Sequence, residues 1–519
     1  MSFPLTIDHL LWRMRHVHPD AQVLDVVGSA SGRDIQSMTF AALADRVRAL
    51  SAGLARRAGV TPGSTVVTMS FNTRVQAELM FAVPAAGARL ECLNVRMSSD
   101  VLLEQIASSD PVLVVVDREV LDHPGIGPVA AEVVAQMAPG IHVLRVDSRG
   151  GPEYDEIIAT GETASGETPV VDENVPAFVF HSSGTTGRPK AIAVRHRELV
   201  LHSLSQAADG ASGLTTTDRV LPLAPFFHVN GWGLLFTSTM TGADVVLIGG
   251  DLAPGRIADV MSDLGVTVAA AVPTVWHDVC GVIAKSPERR PARLREVLSG
   301  GSAVPQSVVG DIERHLGATV ATAWGMTETM ACSTYERCEP ATTAGRPIPL
   351  MEMRITGPAG PADAGEPGSL EVRGAFVIGA SSDDGWMSTG DIASLDARGR
   401  LTLHDREKDM IKSGGEWIPS AEIELRLCEI TGVQTAAVVA RPDARWVERP
   451  VAFVVLDPAG DAPIGHEVLR AHLHRHLPRW WVPDEITIID DLPKTAVGKI
   501  DKVALRRAQH AETKSEEMA

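Results

Sequence analysis

The chain has 519 residues, 45% hydrophobic and 22% charged, with a formal net charge of −18. That length exceeds one ordinary core, so two or more domains are expected, while the acidic balance argues against a general nucleic-acid binder. Five scattered cysteines without a Cys-x-x-Cys pair argue against both a disulfide framework and a zinc site, leaving reduced thiols as the simplest reading.

The opening segment, MSFPLTIDHLLWRMRHVHPD, lacks the long apolar core and small-residue cleavage site of a signal peptide. No uninterrupted run of about 18 apolar residues appears, so a cytoplasmic protein without an integral membrane segment is expected. Leu43, Val47, Leu50 and Leu54 share one helical face, which predicts a helix over 40–54. A strand at 64–69 (STVVTM), a helix through 76–83 and a buried strand at 111–116 follow. The middle of the chain repeats the alternation. ADVVLI (243–248) and VTVAAAV (266–272) flank a helix near 257–264, and LREVLSGG and TVATAW flank a helix over 308–316. Apolar strands alternating with amphipathic helices imply parallel sheets covered on both faces. After about residue 365 short strands and turns take over, and beyond Lys408 the pattern is compact and βαβ-like. The last dozen residues, AQHAETKSEEMA, are polar and are expected to fray.

Residues 181–190, HSSGTTGRPK, follow the apolar strand VPAFVF (175–180). Ser182, Ser183, Gly184, Thr185, Thr186, Gly187 and Lys190 bring hydroxyls, glycines and an ammonium into one turn. Glycines allow backbone N–H groups to approach an anion, and the hydroxyls and Lys190 add donors and charge, so the segment reads as a polyphosphate cradle. It is not a Walker A loop, which requires G-x-x-x-x-G-K-[ST].

The run S-S-G-T-T-G-x-P-K resembles the phosphate loop of the adenylate-forming superfamily, which holds acyl-CoA synthetases, peptide-synthetase adenylation domains and luciferases. Five further segments resemble that family's signatures in order: PFFHVNGW (225–232), AWGMTET (323–329), STGD (388–391), DREKDMIKSGGEWIPSAEIE (405–424) and PKTAVGKIDK (493–502). The resemblance implies an α/β protein. A large N-terminal domain of stacked, helix-covered sheets (1–407) binds ATP and the acid, and a small mobile α+β C-terminal domain (408–519) swings about it. By the same match His228 gates the thiol's tunnel. Trp324, Gly325 and Met326 border the adenine, Thr327 touches the α-phosphate and Glu328 holds Mg²⁺. Asp391 and Arg406 bind the ribose, and Lys408 is the hinge. Ser413, Gly414 and Gly415 meet CoA, and Lys499 contacts the carboxylate and α-phosphate during adenylation. Val229, Asn230, Gly231, Trp232, Gly300 and Gly301 fall where the family lines its acyl pocket. A carboxylate that attacks the α-phosphorus needs this concentration of donors and cations to neutralise ATP.

Softer matches, including LREVLSGGSAVP, ERPVAFVVL and RWWVPDEI, most resemble medium- and long-chain fatty acyl-CoA synthetases. The departures are His181 for a frequent Tyr or Phe, Ala191 for a usual Gly, and Met330-Ala331 for a common Ser-Pro. The implied reaction is ATP-dependent ligation of an apolar carboxylic acid, fatty or bulky, to CoA through an acyl-AMP. A loader of carrier proteins, or a paralogue performing one half-reaction, stays open at this level. A homodimer is compatible with the resemblance.

Overall fold

Four sheets carry the described residues of the computed structural model, which are 3–27, 34–163, 171–182, 190–337, 343–358, 360–379, 384–414, 416–457, 464–494 and 500–517. The expected α/β architecture of stacked sheets holds. Buried runs such as Glu296–Gly300 and Val268–Ala271 lie inside a nine-stranded sheet whose six central strands pair in parallel. Its outer strands, Asp34–Thr39 at one side and Thr334–Arg337 with Arg346–Pro347 at the other, are antiparallel. A six-stranded sheet is likewise parallel except for its last hairpin, Pro176–Ser182 with Lys190–Arg195. Continuous apolar strands suit this setting because both faces are covered by helices.

The two large sheets share one core. Phe81 on the helix Arg74–Ala85, Phe178 on the strand Pro176–Ser182 and Phe236 on the helix Leu234–Thr241 pack edge-on with centroids 5.2 and 5.7 Å apart. Such aromatic triads add to burial through their favoured edge-to-face geometry. A third, antiparallel sheet follows after residue 350 and ends in Met387–Leu395 and Leu401–Arg406. Ile411–Ser413 then opens a fourth sheet with its own core of Ile411, Ile418, Ile423, Val438 and Val454. No helix among the described residues is long and apolar enough to cross a membrane.

Two sequence-level expectations need adjusting. The helix expected over 308–316 is α-helical only through Gln306–Asp311, and Ile312–Leu316 winds as a π-turn ending at the left-handed Gly317. The tail expected to fray is the helix Lys502–Glu517, since Ala, Gln, Lys and Glu are strong helix formers whatever their polarity.

The helices Phe40–Arg57 and Pro152–Glu162 cross at two glycines. A β-carbon on Gly161 would stand 1.7 Å from the Ala49 carbonyl oxygen, and one on Gly53 would stand 1.9 Å from that of Ile157. Backbone meets backbone there and neither side can yield. Gly281, on the exposed face of the helix Pro273–Lys285, meets nothing within 4 Å. Gly161→Ala should therefore destabilise the fold by about 3 kcal/mol in urea unfolding, whereas Gly281→Ala should stabilise it by roughly 0.5–1 kcal/mol.

Candidate active site

Two adjacent parallel strands end side by side, with Gly300 opposite Ala323 in the register. Open α/β sheets bind ligands at such carboxyl ends. A cavity of about 350 Å³ opens there. Its lining comes from five separate places in the sequence. Ser182 and Lys190 come from the hairpin, His228, Val229 and Trp232 from the segment after Pro225, and Gly300 and Gly301 from one strand end. Ala323, Trp324, Gly325, Met326, Thr327, Glu328, Ala331 and Cys332 come from the next strand end, and Thr389 and Arg406 from the third sheet.

The lining divides by chemistry. Ser182, Lys190, Thr327, Glu328, Thr389 and Arg406 supply hydroxyls, two cations and a carboxylate, whereas Val229, Trp232, Gly300, Gly301, Ala323, Ala331 and Cys332 supply an apolar wall. Ser182 and Lys190 face each other in the hairpin register. Ser183, Gly184, Thr185, Thr186 and Gly187 lie between them, outside the described residues, as do Gly415 and Lys499. The departures at 181 and 191 pair with one another as regular strand residues, and the His181 ring lies 2.7 Å from Glu91. Ala191 therefore adds no strain that the hairpin has to absorb.

Asp391 is buried behind the cavity wall, and both of its oxygens are engaged. Trp324 donates its indole N–H to Oδ2 at 3.0 Å, and the Arg406 guanidinium pairs with Oδ1 at 2.7 Å. A buried carboxylate is tolerable on these terms. The Trp324 ring is thereby held against the cavity by its own hydrogen bond.

The loop carrying Trp324 to Glu328 is pinned by hydroxyls. Thr334 Oγ1 accepts the Trp324 N–H at 2.8 Å, Thr329 Oγ1 accepts that of Met326 at 3.1 Å, and Ser333 Oγ donates to Thr329 Oγ1 at 2.6 Å. Glu328 reaches the cavity from the short turn Thr327–Thr329, and its carbonyl accepts the Ile378 N–H at 2.7 Å. Among the described residues no group of three or more His, Cys, Asp or Glu could cage a metal ion.

Sequence reasoning placed Gly231 on the acyl pocket. Gly231 lies off the cavity wall, with φ +56°, and a β-carbon there would point at the Phe226 ring, 2.7 Å away, and the Ala224 carbonyl, 2.9 Å away. The side chain of Asn230 is outside the described residues. Ser413 and Gly414 are held inside the last sheet. Ser413 Oγ accepts from Arg449 at 3.1 Å, and Gly414, at φ +62°, donates its N–H to the Trp446 carbonyl at 2.8 Å. Lys408 lies in the single turn Glu407–Asp409. The lining residues that sequence reasoning missed are Ala323, Ala331, Cys332 and Thr389. Burial pushes the Cys332 thiol up to about 12, so it serves as wall and not as nucleophile.

With this geometry in place, the relatives decide the family. The family model for the AMP-binding enzyme matches residues 11–379, and that for the AMP-binding enzyme C-terminal domain matches 422–499. The chain belongs to the AMP-binding enzyme family. A long-chain-fatty-acid–CoA ligase of Thermus thermophilus is 34% identical over 93% of this chain and 92% of its own. A 3-methylmercaptopropionyl-CoA ligase of Ruegeria pomeroyi is 32% identical over 98% and 97%, respectively. ATP-bound MatB from Rhodopseudomonas palustris superimposes with a TM-score of 0.83 at 24% identity, covering 98% of this chain and 99% of that one. The family member described here is an AMP-forming acid–thiol ligase that joins a carboxylic acid to CoA through an acyl-AMP.

Met330 and Ala331, which stand where the family commonly has Ser-Pro, adopt the left-handed region with φ 59° and 69°. Ala331 also donates its N–H to the Met326 carbonyl at 3.0 Å. Proline fixes φ near −65° and has no N–H. Ala331→Pro should cost about 3 kcal/mol in thermal or urea unfolding, and Ala331→Gly should gain up to about 1 kcal/mol.

Proposed function

We propose that this acid–thiol ligase acts on a monocarboxylic acid with an apolar tail, fatty or bulky. The observation that carries the reading is the absence of a charged side chain along the wall formed by Val229, Trp232, Gly300, Gly301, Ala323, Ala331 and Cys332. A charged tail buried there would have no partner, which is costly, whereas each buried methylene is favourable. Relatives named for medium-chain fatty acids, 3-methylmercaptopropionate and ferulate support this reading, while one named for acetate or butyrate, 28% identical, does not.

In the first half-reaction the acid's carboxylate attacks the α-phosphorus of ATP, giving acyl-AMP and pyrophosphate. The phosphates are received at the 182–190 hairpin, with Lys190 and Thr327 donating to oxygens whose charge grows as the bond forms. Trp324 offers its ring face to the adenine, and Asp391 and Arg406 receive the ribose. Mg²⁺ fits this site without a protein cage, because it is commonly held by one or two carboxylates together with substrate phosphates. Glu328 is the carboxylate that would hold it, and the ion would supply neutralising charge at the phosphates. In the second half-reaction the domain after Lys408 turns, Lys499 withdraws and the 413–415 loop arrives. The thiol of CoA then attacks the acyl carbon and AMP leaves. His228, on the cavity wall, stands where the thiol enters.

The substrate reading is tested by a chain-length and bulk series of acids, with thioester formation followed by mass spectrometry. The value of kcat/KM should rise from acetate upward by about fourfold per methylene until the cavity is full. A preference for acetate, an amino acid or a dicarboxylate would overturn it. The division of labour is tested separately. Lys499→Ala should cut acid-dependent pyrophosphate exchange by about two orders of magnitude while sparing conversion of supplied acyl-AMP to acyl-CoA. Equal loss of both steps would refute the assignment.

A further inference from the structure

The two bodies that must turn against each other are joined near Lys408 by one carboxylate. Asp405 belongs to the large body. It lies on the strand Leu401–Arg406 and pairs with Ile392 in the third sheet. Its carboxylate points the other way along the chain, to the start of the helix Ser420–Cys428 in the small body. Oδ2 accepts the Ser420 N–H at 2.5 Å, the Ser420 hydroxyl at 2.7 Å and the Ala421 N–H at 3.3 Å. The other oxygen accepts the Arg406 N–H at 2.7 Å. Asp405 is 8% exposed and Ser420 is fully buried, so water does not compete for these bonds. A carboxylate on the first-turn N–H groups of a helix also meets the positive end of its dipole.

The contact continues past Ser420. The Ser420 hydroxyl, while donating to Asp405, accepts from the Lys502 ammonium at 2.8 Å, and Lys502 also pairs with the half-buried Glu424 at 2.7 Å. Lys502 opens the helix Lys502–Glu517 and stands just after Lys499 in PKTAVGKIDK. Arg506, one turn further on, pairs with Asp409 beside the hinge. A polar chain thus runs from the third sheet, across Lys408, to the segment that bears Lys499.

We propose that Asp405 is a positioning residue for adenylation. Its hydrogen bonds to Ser420, relayed to Lys502, hold the small body against the third sheet in the arrangement that serves adenylation, and they part when that body turns for thioester formation. The proposal rests on Lys408 as hinge and Lys499 as the adenylation lysine. It adds a residue that touches neither substrate nor nucleotide and acts through both. The sequence alone concealed it, because Asp405 stands in DREKD, the run read as the domain boundary and hinge, and its partner Ser420 lies 15 residues further on.

The test uses the full-length enzyme and three near-isosteric variants, Asp405→Asn, Ser420→Ala and Lys502→Met, so that one variant that fails to fold leaves two to be read. Each should lower kcat for acid-dependent pyrophosphate exchange by about tenfold, the scale of a lost charge-assisted hydrogen bond, with KM for ATP unchanged. Conversion of supplied acyl-AMP to acyl-CoA should stay at the parent rate or rise. The double variant Asp405→Asn/Ser420→Ala should fall no further than the worse single, because both remove the same link. Equal losses in the two half-reactions, a rise in KM for ATP in place of a fall in kcat, or full additivity would each overturn the proposal. Lys499→Ala separates the levels. If it fails to split the half-reactions, the underlying reading fails, and if it splits them while Asp405→Asn does not, only the role of Asp405 fails.

Discussion

A buried carboxylate with two obligatory partners organises this molecule. Asp391 sits on the third sheet, Trp324 follows a strand of the first, and Arg406 closes the third. Removing either partner would leave charge in a low-dielectric setting, a penalty larger than most single contacts contribute. The first and third sheets are therefore fixed relative to each other where the cavity opens. The position of the Trp324 ring, the reach of the Arg406 guanidinium and the place at which the chain leaves for its last sheet all follow from that fixed point. Arg406 is both a wall of the cavity and the residue from which the joint begins.

The hydroxyl network beneath the Trp324–Glu328 loop acts in the same sense on a smaller scale. Thr334, Thr329 and Ser333 take up the loop's backbone groups, so that two consecutive residues, Met330 and Ala331, can remain left-handed. Strained backbone persists where surrounding bonds over-determine it, and it gathers at sites of function. Val229 and Trp232, on the same apolar wall as Ala331, are left-handed as well.

Much of this was legible before any coordinates. The apolar run 175–180 marked a strand, and TVATAW marked a strand whose end opens on the cavity. Those signals are local, and local chemistry reports itself in local spacing. Three things were not legible. The surroundings of Gly231 are the first, because a missing side chain says nothing about direction, and only the backbone angle shows that a β-carbon there would face Phe226. Cys332 and Ala331 reach the wall because their loop folds back on Met326, a bond between residues whose types give no hint of it. Asp405 carried the chemistry of a helix cap, but its helix begins at Ser420, well beyond the span over which capping signals are normally sought.

The small residues of the apolar wall bear on how this enzyme's selectivity can drift. Gly300 cannot gain a side chain without meeting the Ala323 carbonyl at 2.8 Å, and Gly301, at φ +82°, resists one through its backbone even though a β-carbon there would make only ordinary contacts with Val272 and Trp232. Ala331 already carries its β-carbon at a strained angle. At these three positions the room along the wall is thus set by main chain, which a point mutation does not readily change. Of the small wall residues, Ala323 combines an ordinary strand conformation with a place on the cavity. Lineages that narrow their choice of acid, and engineers who wish to imitate them, have their least obstructed route through that one codon.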